Sequence, residues 1–352
     1  MQRDLPVHGR GASHDPPNRF ERLHVELDDM ESDSDRAPRT LFFEDRSRDV
    51  VSVNRSPDVP LDAGVNPYRG CEHGCIYCFA RPYHEYLGFS AGLDFETRIM
   101  VKKDAARRLR EVLSSRRWVP KPLMLSGATD PYQPVEAKLR VTRSVLEVLV
   151  EYGNPVAVIT KNHLVTRDID LLAELSAKGA AAVVLSITTL SRDLQRVMEP
   201  RTSIPERRLH AIEALASAGV PVGVNVAPVI PGLTDHELPA ILHAAADAGA
   251  RTAGYILLRL PHATAPLFER WLEQHRPERK EKVLARLRDL HDGRLYDSTF
   301  GKRARGVGPY AEQIRGLFEL ARRKAGLDPA PTGLSVAAFR RPAESGQTEL
   351  EL

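Results

Sequence analysis

Cysteine is scarce in this chain: 3 of 352 residues. Three thiols cannot complete a disulfide framework, which excludes a small extracellular scaffold and favours a reducing compartment. Long hydrophobic runs are missing too. The longest, such as Ala180–Ile187, fall well short of a membrane span, and the opening stretch MQRDLPVHGRGASHDPPN has no apolar signal-peptide core. These absences predict a soluble, cytoplasmic protein with no membrane association. Neither sign of charge dominates: 50 Lys and Arg against 47 Asp and Glu leave +3, too little to argue for nucleic acid by itself. No G-x-G-x-x-G follows the first strand, which counts against a doubly wound dinucleotide-binding sheet.

What is present is ordinary globular composition, 42% hydrophobic and 28% charged, in a chain long enough for one large domain or two modest ones. Short apolar runs alternate with amphipathic segments. PLMLSG (122–127), VAVITK (156–161), AVVLSIT (182–188), VGVNVAPV (222–229) and AGYILLRL (253–260) read as parallel strands covered on both faces. A further strand before Cys71 would make six strand–helix units. That order predicts an α/β fold, a parallel sheet closed or partly closed into a (β/α)6 barrel. SIPE at Ser203–Glu206 and TDHE at Thr234–Glu237 read as capping boxes, and Gly179, Gly219 and Gly249 sit where helices should end. The expected layout is a disordered tail over 1–38, a barrel over 39–265, a helical C-terminal extension over 266–335 and a tail over 336–352.

The segment from Arg98 to Lys121 carries nine basic residues, opposed only by Asp104 and Glu111, whereas Glu26–Asp35 is purely acidic. A solvated helix face and a flexible tail account for both. The alternative is a basic rim that receives a phosphate-bearing substrate.

All three cysteines fall in NPYRGCEHGCIYCFAR (66–81), spaced C-x3-C-x2-C: Cys71, Cys75 and Cys78. Gly70 and Gly74 allow tight turns, so the three sulfurs can converge. A structural zinc site would need a fourth ligand, and His73 is the nearby candidate, awkwardly placed between two cysteine ligands. A [4Fe-4S] cluster takes one ligand per iron, so three cysteines would leave one iron open to an exogenous molecule.

This motif, with Tyr77 before the last cysteine, resembles the radical S-adenosylmethionine (SAM) superfamily. Together with GATDPYQPVE (127–136), it is similar to the spore photoproduct lyase-related subgroup. The resemblance covers roughly residues 60–265. It implies a cluster whose open iron chelates the amino and carboxylate groups of SAM. It also implies a 5'-deoxyadenosyl radical that abstracts hydrogen from the substrate, and a reducing electron donor such as flavodoxin or ferredoxin.

The same resemblance suggests where SAM would lie. Ser126, Gly127 and Asp130 stand where the methionine amine is bound, without the usual Gly-Gly-Glu; a plain strand-to-helix turn is the other reading. Lys161 and Ser186, at strand ends, match contacts to the carboxylate or ribose. A buried lysine needs an anionic partner in any case, whereas the hydroxyl could be merely satisfied. Asn225 and the segment 226–232 match the adenine region, and Tyr77 borders the ring or is a core aromatic. Glu199 and Arg201 could pair with each other or reach a carboxylate or phosphate.

Spore photoproduct lyase returns hydrogen through an additional cysteine, and this chain has none outside the cluster motif. Any hydrogen return would come from a tyrosine, with Tyr68, Tyr132 and Tyr255 among the candidates, from regenerated 5'-deoxyadenosine, or from solvent by another route, and the catalytic residue stays unassigned. The reading is a radical SAM enzyme whose substrate is nucleic acid or nucleotide-like. The alternatives are a non-catalytic zinc- or cluster-stabilised nucleic-acid-binding protein, or a redox sensor.

Overall fold

The computed structural model describes residues 5–21, 38–329 and 333–342. Its strands are β1 (Leu41–Glu44), β2 (Val51–Val53), β3 (Ala63–Val65), β4 (Tyr68–Arg69), β5 (Arg98–Val101) and β6 (Leu123–Leu125). They continue as β7 (Val156–Thr160), β8 (Ala181–Ser186), β9 (Val222–Val229), β10 (Thr252–Leu257) and β11 (Asp328–Pro329). The main sheet has the order β11-β10-β9-β8-β7-β6-β3-β2, parallel from β11 to β3, with β2 antiparallel at one edge. Sequential order with helical crossovers is the (β/α)6 arrangement, and its two edges do not pair, so the barrel is partial. No helix among the described residues is long and apolar enough to cross a membrane.

The strands are covered on one face, not two. Leu123, Leu125, Val156, Val158, Val183, Leu185, Val222 and Val224 join the main core beneath the helices. Their alternates face the concave side and are half-buried or small. The ladders align Gly64, Met124, Ala157 and Ala182 in one row, Ile159, Val184, Gly223 and Thr252 in the next, and Ser186, Asn225 and Gly254 in the third. The runs look continuously apolar because the inner rows mix small residues with Met124, Ile159 and Val184, which are only half-buried. That partly exposed inner face lines the lumen.

A second sheet, β1-β5-β4, was not evident in the sequence; β4, which leads into Cys71, belongs to it rather than to the barrel. Neither capping box forms. The Ser203 hydroxyl accepts from His163 N at 2.8 Å, Thr234 Oγ1 accepts from Ile230 N at 2.9 Å, and Glu237 binds Thr189 and Leu190 instead. Tertiary partners have taken the groups that local helix capping would use. Gly179, Gly219 and Gly249 do adopt positive φ at helix ends.

The expected disordered tail does not describe residues 5–21. Gly11 N and Ala12 N donate to the Glu96 carboxylate at 3.0 and 2.9 Å, and Asn18 donates to Glu85 O at 2.9 Å. Polar composition hid this, because the anchors are backbone amides. Residues 22–37, including the acidic run, lie outside the described residues. At the other end, Arg340 N donates to Tyr152 O at 2.9 Å and Arg341 to Trp118 O at 2.9 Å, so 333–342 is likewise packed rather than a free tail. The C-terminal region is helical, with helices Thr264–His275, Pro277–Leu290 and Gly308–Lys324.

Candidate functional site

Parallel strands bring their C-terminal ends to one rim, where six loops meet. The cysteine loop follows β3 and β4 there. Gly70 and Gly74 have φ of 76° and 65°. A Cβ on Gly74 would stand 2.5 Å from Glu96 Oε2, so only glycine fits that turn. Arg81, fully buried, donates to Cys75 O at 3.0 Å and Gly74 O at 3.2 Å and pairs with buried Glu96 at 2.5 Å. The same Glu96 anchors Gly11 and Ala12, so the N-terminal segment lies against the cysteine loop.

The second motif clasps the first. Tyr68 donates to Glu136 at 2.5 Å, Thr129 to Gly70 O at 2.7 Å, Glu72 N to Gln133 at 2.9 Å, and Val135 N to Glu72 at 2.6 Å. Asp130 completes the series at His73 Nδ1, 3.4 Å away. The Asp130 carboxylate also accepts from Tyr132 N, Thr160 Oγ1 and Lys161 N at 2.9, 2.7 and 2.8 Å. It is fully engaged within the protein, which makes it a holder of His73 and of the β7 end rather than a free acceptor for an ammonium. Burial disfavours the His73 cation, but Asp130 and then Cys71 outweigh that and hold its pKa up to about 10.

Next to the cysteines, Glu199 is fully buried and gathers four partners. It pairs with Arg208 and, at 3.5 Å, with Lys161, and accepts from Tyr77 and from Thr188 at 2.7 Å. Burial opposes its charge, yet Arg208 and then Lys161 prevail and hold the carboxyl down to about 2. Lys161 also donates to Ala227 O at 2.7 Å and stands 5.7 Å from the Tyr77 ring centroid. Two cations share one carboxylate here, leaving a net positive charge at the rim.

Arg201 does not pair with Glu199; it reaches Glu72 at 3.4 Å. Tyr77, Lys161, Thr188 and Glu199 therefore form one group, while Ser186 and Asn225 sit side by side on the lumen wall below it. Ser126 donates to Thr129 O at 3.3 Å, and Gly127, with φ of 116°, starts the turn after β6. The candidate tyrosines lie elsewhere. Tyr68 and Tyr132 are fully buried, bonded to Glu136 and Asp168, and Tyr255 packs its ring 4.6 Å from Phe318; all three join the core beneath the helices. Sequence reading missed Arg81, Glu96, Thr188 and Arg208. A lone charged residue in a helix or loop carries no mark of burial; Arg81, three residues past Cys78, offered the nearest signal.

Among the described residues no three His, Cys, Asp or Glu side chains converge as a single metal ion requires. His73 is not free to complete a zinc tetrahedron, because Nδ1 faces Asp130 and Nε2 lies 3.1 Å from Asn162 Nδ2. Three thiols without a fourth protein ligand fit a cluster that takes one thiolate per iron. Burial, then Glu199, pushes the Cys75 thiol well above its ordinary range, and burial, then Cys71, pushes Cys78 up to about 11. Iron binding must displace those protons.

These features define a barrel with a three-cysteine loop at its rim, and the chain belongs to the radical SAM superfamily, whose family model matches residues 65–245. An uncharacterized protein of Mycobacterium tuberculosis is 37% identical over 245 residues, covering 68% of this chain and 71% of that protein. The radical SAM Nα-GlyT isomerase of Pseudomonas phage M6 is 26% identical over 57% of this chain and 40% of its own length. In fold the chain is similar to spore photoproduct lyase: a mutant with bound AdoMet and dinucleoside spore photoproduct aligns with TM-score 0.57 at 17% identity, covering 82% of this chain and 80% of that one.

Proposed function

We propose that the protein is a cytoplasmic radical SAM enzyme that cleaves SAM reductively and acts on a nucleic-acid or nucleotide-like substrate, with electrons from a flavodoxin- or ferredoxin-type donor. The observation that carries this is the cysteine loop, held at the barrel rim by Thr129, Asp130, Gln133 and Glu136, with the His73 nitrogens facing Asp130 and Asn162. Cys71, Cys75 and Cys78 would hold the cluster, which with SAM supplies a 5'-deoxyadenosyl radical. Lys161, already held by Ala227 O and Glu199, keeps a cation where the methionine carboxylate would sit. The backbone of Ser126 and Gly127 lines the adjacent turn, and Ser186 and Asn225 offer polar groups to ribose and adenine on the lumen wall. Tyr77, fixed by Glu199 and Thr188, walls the site on the cluster side. Asp130 serves as a positioning residue. The name of the phage isomerase supports a radical reaction but does not identify this chain's substrate.

Anaerobic reconstitution tests the reading. About four irons per chain are expected, the nuclearity at which three cysteines leave one iron open. Reduced protein given SAM should release 5'-deoxyadenosine, and Cys71→Ala, Cys75→Ala and Cys78→Ala should each lose the iron and the product. Stoichiometric zinc without iron uptake would sink the assignment in favour of a zinc-stabilised binding protein.

A further inference from the structure

Arg259 leaves the last barrel strand with its guanidinium 4.2 Å from the ring centroid of Phe79, the residue that follows Cys78. It is half-buried, yet among the described residues it has no hydrogen-bond or ion-pair partner. Tyr83, Tyr296, Arg303 and Asp58 all stand close enough to act on its charge. Burial and then Arg303 lower its pKa, outweighing the support it draws from Tyr296, Tyr83 and Asp58. The carboxylate of the group, Asp58, already accepts from Gly301 N at 2.6 Å and pairs with Arg303 at 2.5 Å. Two guanidiniums thus share one occupied carboxylate.

Aromatic faces adjoin them. Phe79 is 37% and Tyr83 53% exposed, although both follow the buried cysteine loop. A cation lacking an anion, beside exposed rings, is the combination that holds a sugar–phosphate backbone while its bases stack. By contrast the basic helix Ala105–Ser114 is neutralised internally: Arg107 and Arg108 pair with Asp104, and Arg110 pairs with Glu151.

We propose that Arg259, flanked by Phe79 and Tyr83, binds a phosphate of a single-stranded nucleic acid and so presents the neighbouring nucleotide to the cysteine loop. The assignment rests on the reading of the barrel as acting on a nucleic-acid substrate and places that substrate's contact at the β10 end. The test is fluorescence anisotropy with a labelled single-stranded thymidine oligonucleotide, on anaerobically reconstituted protein. Arg259→Gln should weaken binding about tenfold or more, as loss of a charged hydrogen bond does, and Arg259→Lys should restore part of it. The log–log salt slope should fall by about 0.7 in Arg259→Gln, one phosphate's share for a single strand. Tyr83→Ala, at an exposed position, should weaken binding about fivefold or more through lost stacking, with iron content and melting temperature unchanged. Unchanged affinity in Arg259→Gln, or no binding by the wild-type protein, overturns the proposal. Because binding is read without turnover, wild type that cleaves SAM but ignores the oligonucleotide refutes this subsite alone. Arg259-dependent binding without SAM cleavage refutes the enzymatic reading and leaves the subsite standing.

Discussion

The Tyr68 hydroxyl donates to Glu136 at 2.5 Å, and both residues are fully buried. This bond begins the clasp that joins the two motifs across the rim. Burial and Glu136 drive the phenol's pKa upward, so it remains a donor at any working pH. Tyr68→Phe should cost about 1–3 kcal/mol in denaturant unfolding, the range for a buried acceptor that loses a partner, because Arg167 and Thr142 N still hold Glu136. Iron content should persist. Unaltered stability would mean the clasp does not need its first link.

Asp130 and Lys161 are neighbours in space with different expected phenotypes. Asp130→Ala removes the partner of His73 inside the cysteine loop and should lower iron retention. Lys161→Ala should retain iron yet weaken SAM binding by about 1.5–3 kcal/mol, read by equilibrium binding to reconstituted protein. The reverse pattern would return Asp130 to the role of ligand acceptor.

The basic helix should be inert towards nucleic acid. Replacing Arg107, Arg108 and Arg110 together removes charges already paired with Asp104, Glu111 and Glu151. Oligonucleotide affinity and its salt dependence should stay at wild-type values in an anisotropy titration. A slope lowered by two or more phosphates would restore the rim reading of that segment.

Docking of the N-terminal segment should depend on pH through Asp15. Burial, and then Asp94, raises its pKa from 3.8 to about 6. A carboxyl raised on docking favours the docked form fully below its free value and loses that contribution as pH climbs to about 6. Hydrogen-exchange protection around residues 11–18 should therefore be highest near pH 4 and fall by roughly one to two decades by pH 7, at most tenfold per pKa unit. Asp15→Asn should flatten the profile; a wild-type profile flat over that range would show that Asp15 does not sense docking.

The protein should not return spore photoproduct to thymines at a catalytic rate. No cysteine exists outside Cys71, Cys75 and Cys78, and Tyr68, Tyr132 and Tyr255 all lie in the core beneath the helices instead of on the lumen wall. Product analysis after incubation with the dinucleoside lesion, SAM and reductant checks this. Multiple turnovers would refute the separation from the lyase.

The strand order, the rim position of the cysteines and the C-terminal helices were legible because each is local: apolar runs, a tight spacing and amphipathic repeats. The clasp was visible only as two adjacent-looking motifs, since nothing in Thr129 or Gln133 states which carbonyl it meets. Glu96, Arg208 and Arg81 escaped, and Glu199 was read beside Arg201 and not Arg208, because buried ion pairs are chosen by tertiary packing, and an isolated charge in a sequence is ordinarily solvated. The partners of Asp130 were hidden in the same way: three donors and His73 surround its carboxylate, and none of them is marked in the sequence. The packed segment 5–21 was missed because its anchors are peptide amides, which every residue carries.

The Glu96 carboxylate that seats Gly11 and Ala12 is 85 and 84 positions further along the chain. During synthesis residues 11 and 12 therefore leave the ribosome with nothing to bind, and they must wait until the cysteine loop and the strand-leading turn behind it have emerged. Domains commonly assemble from the end made first. Here a segment made early must wait for one made later, and its closure over the cysteine loop follows the emergence of the thiols beside it.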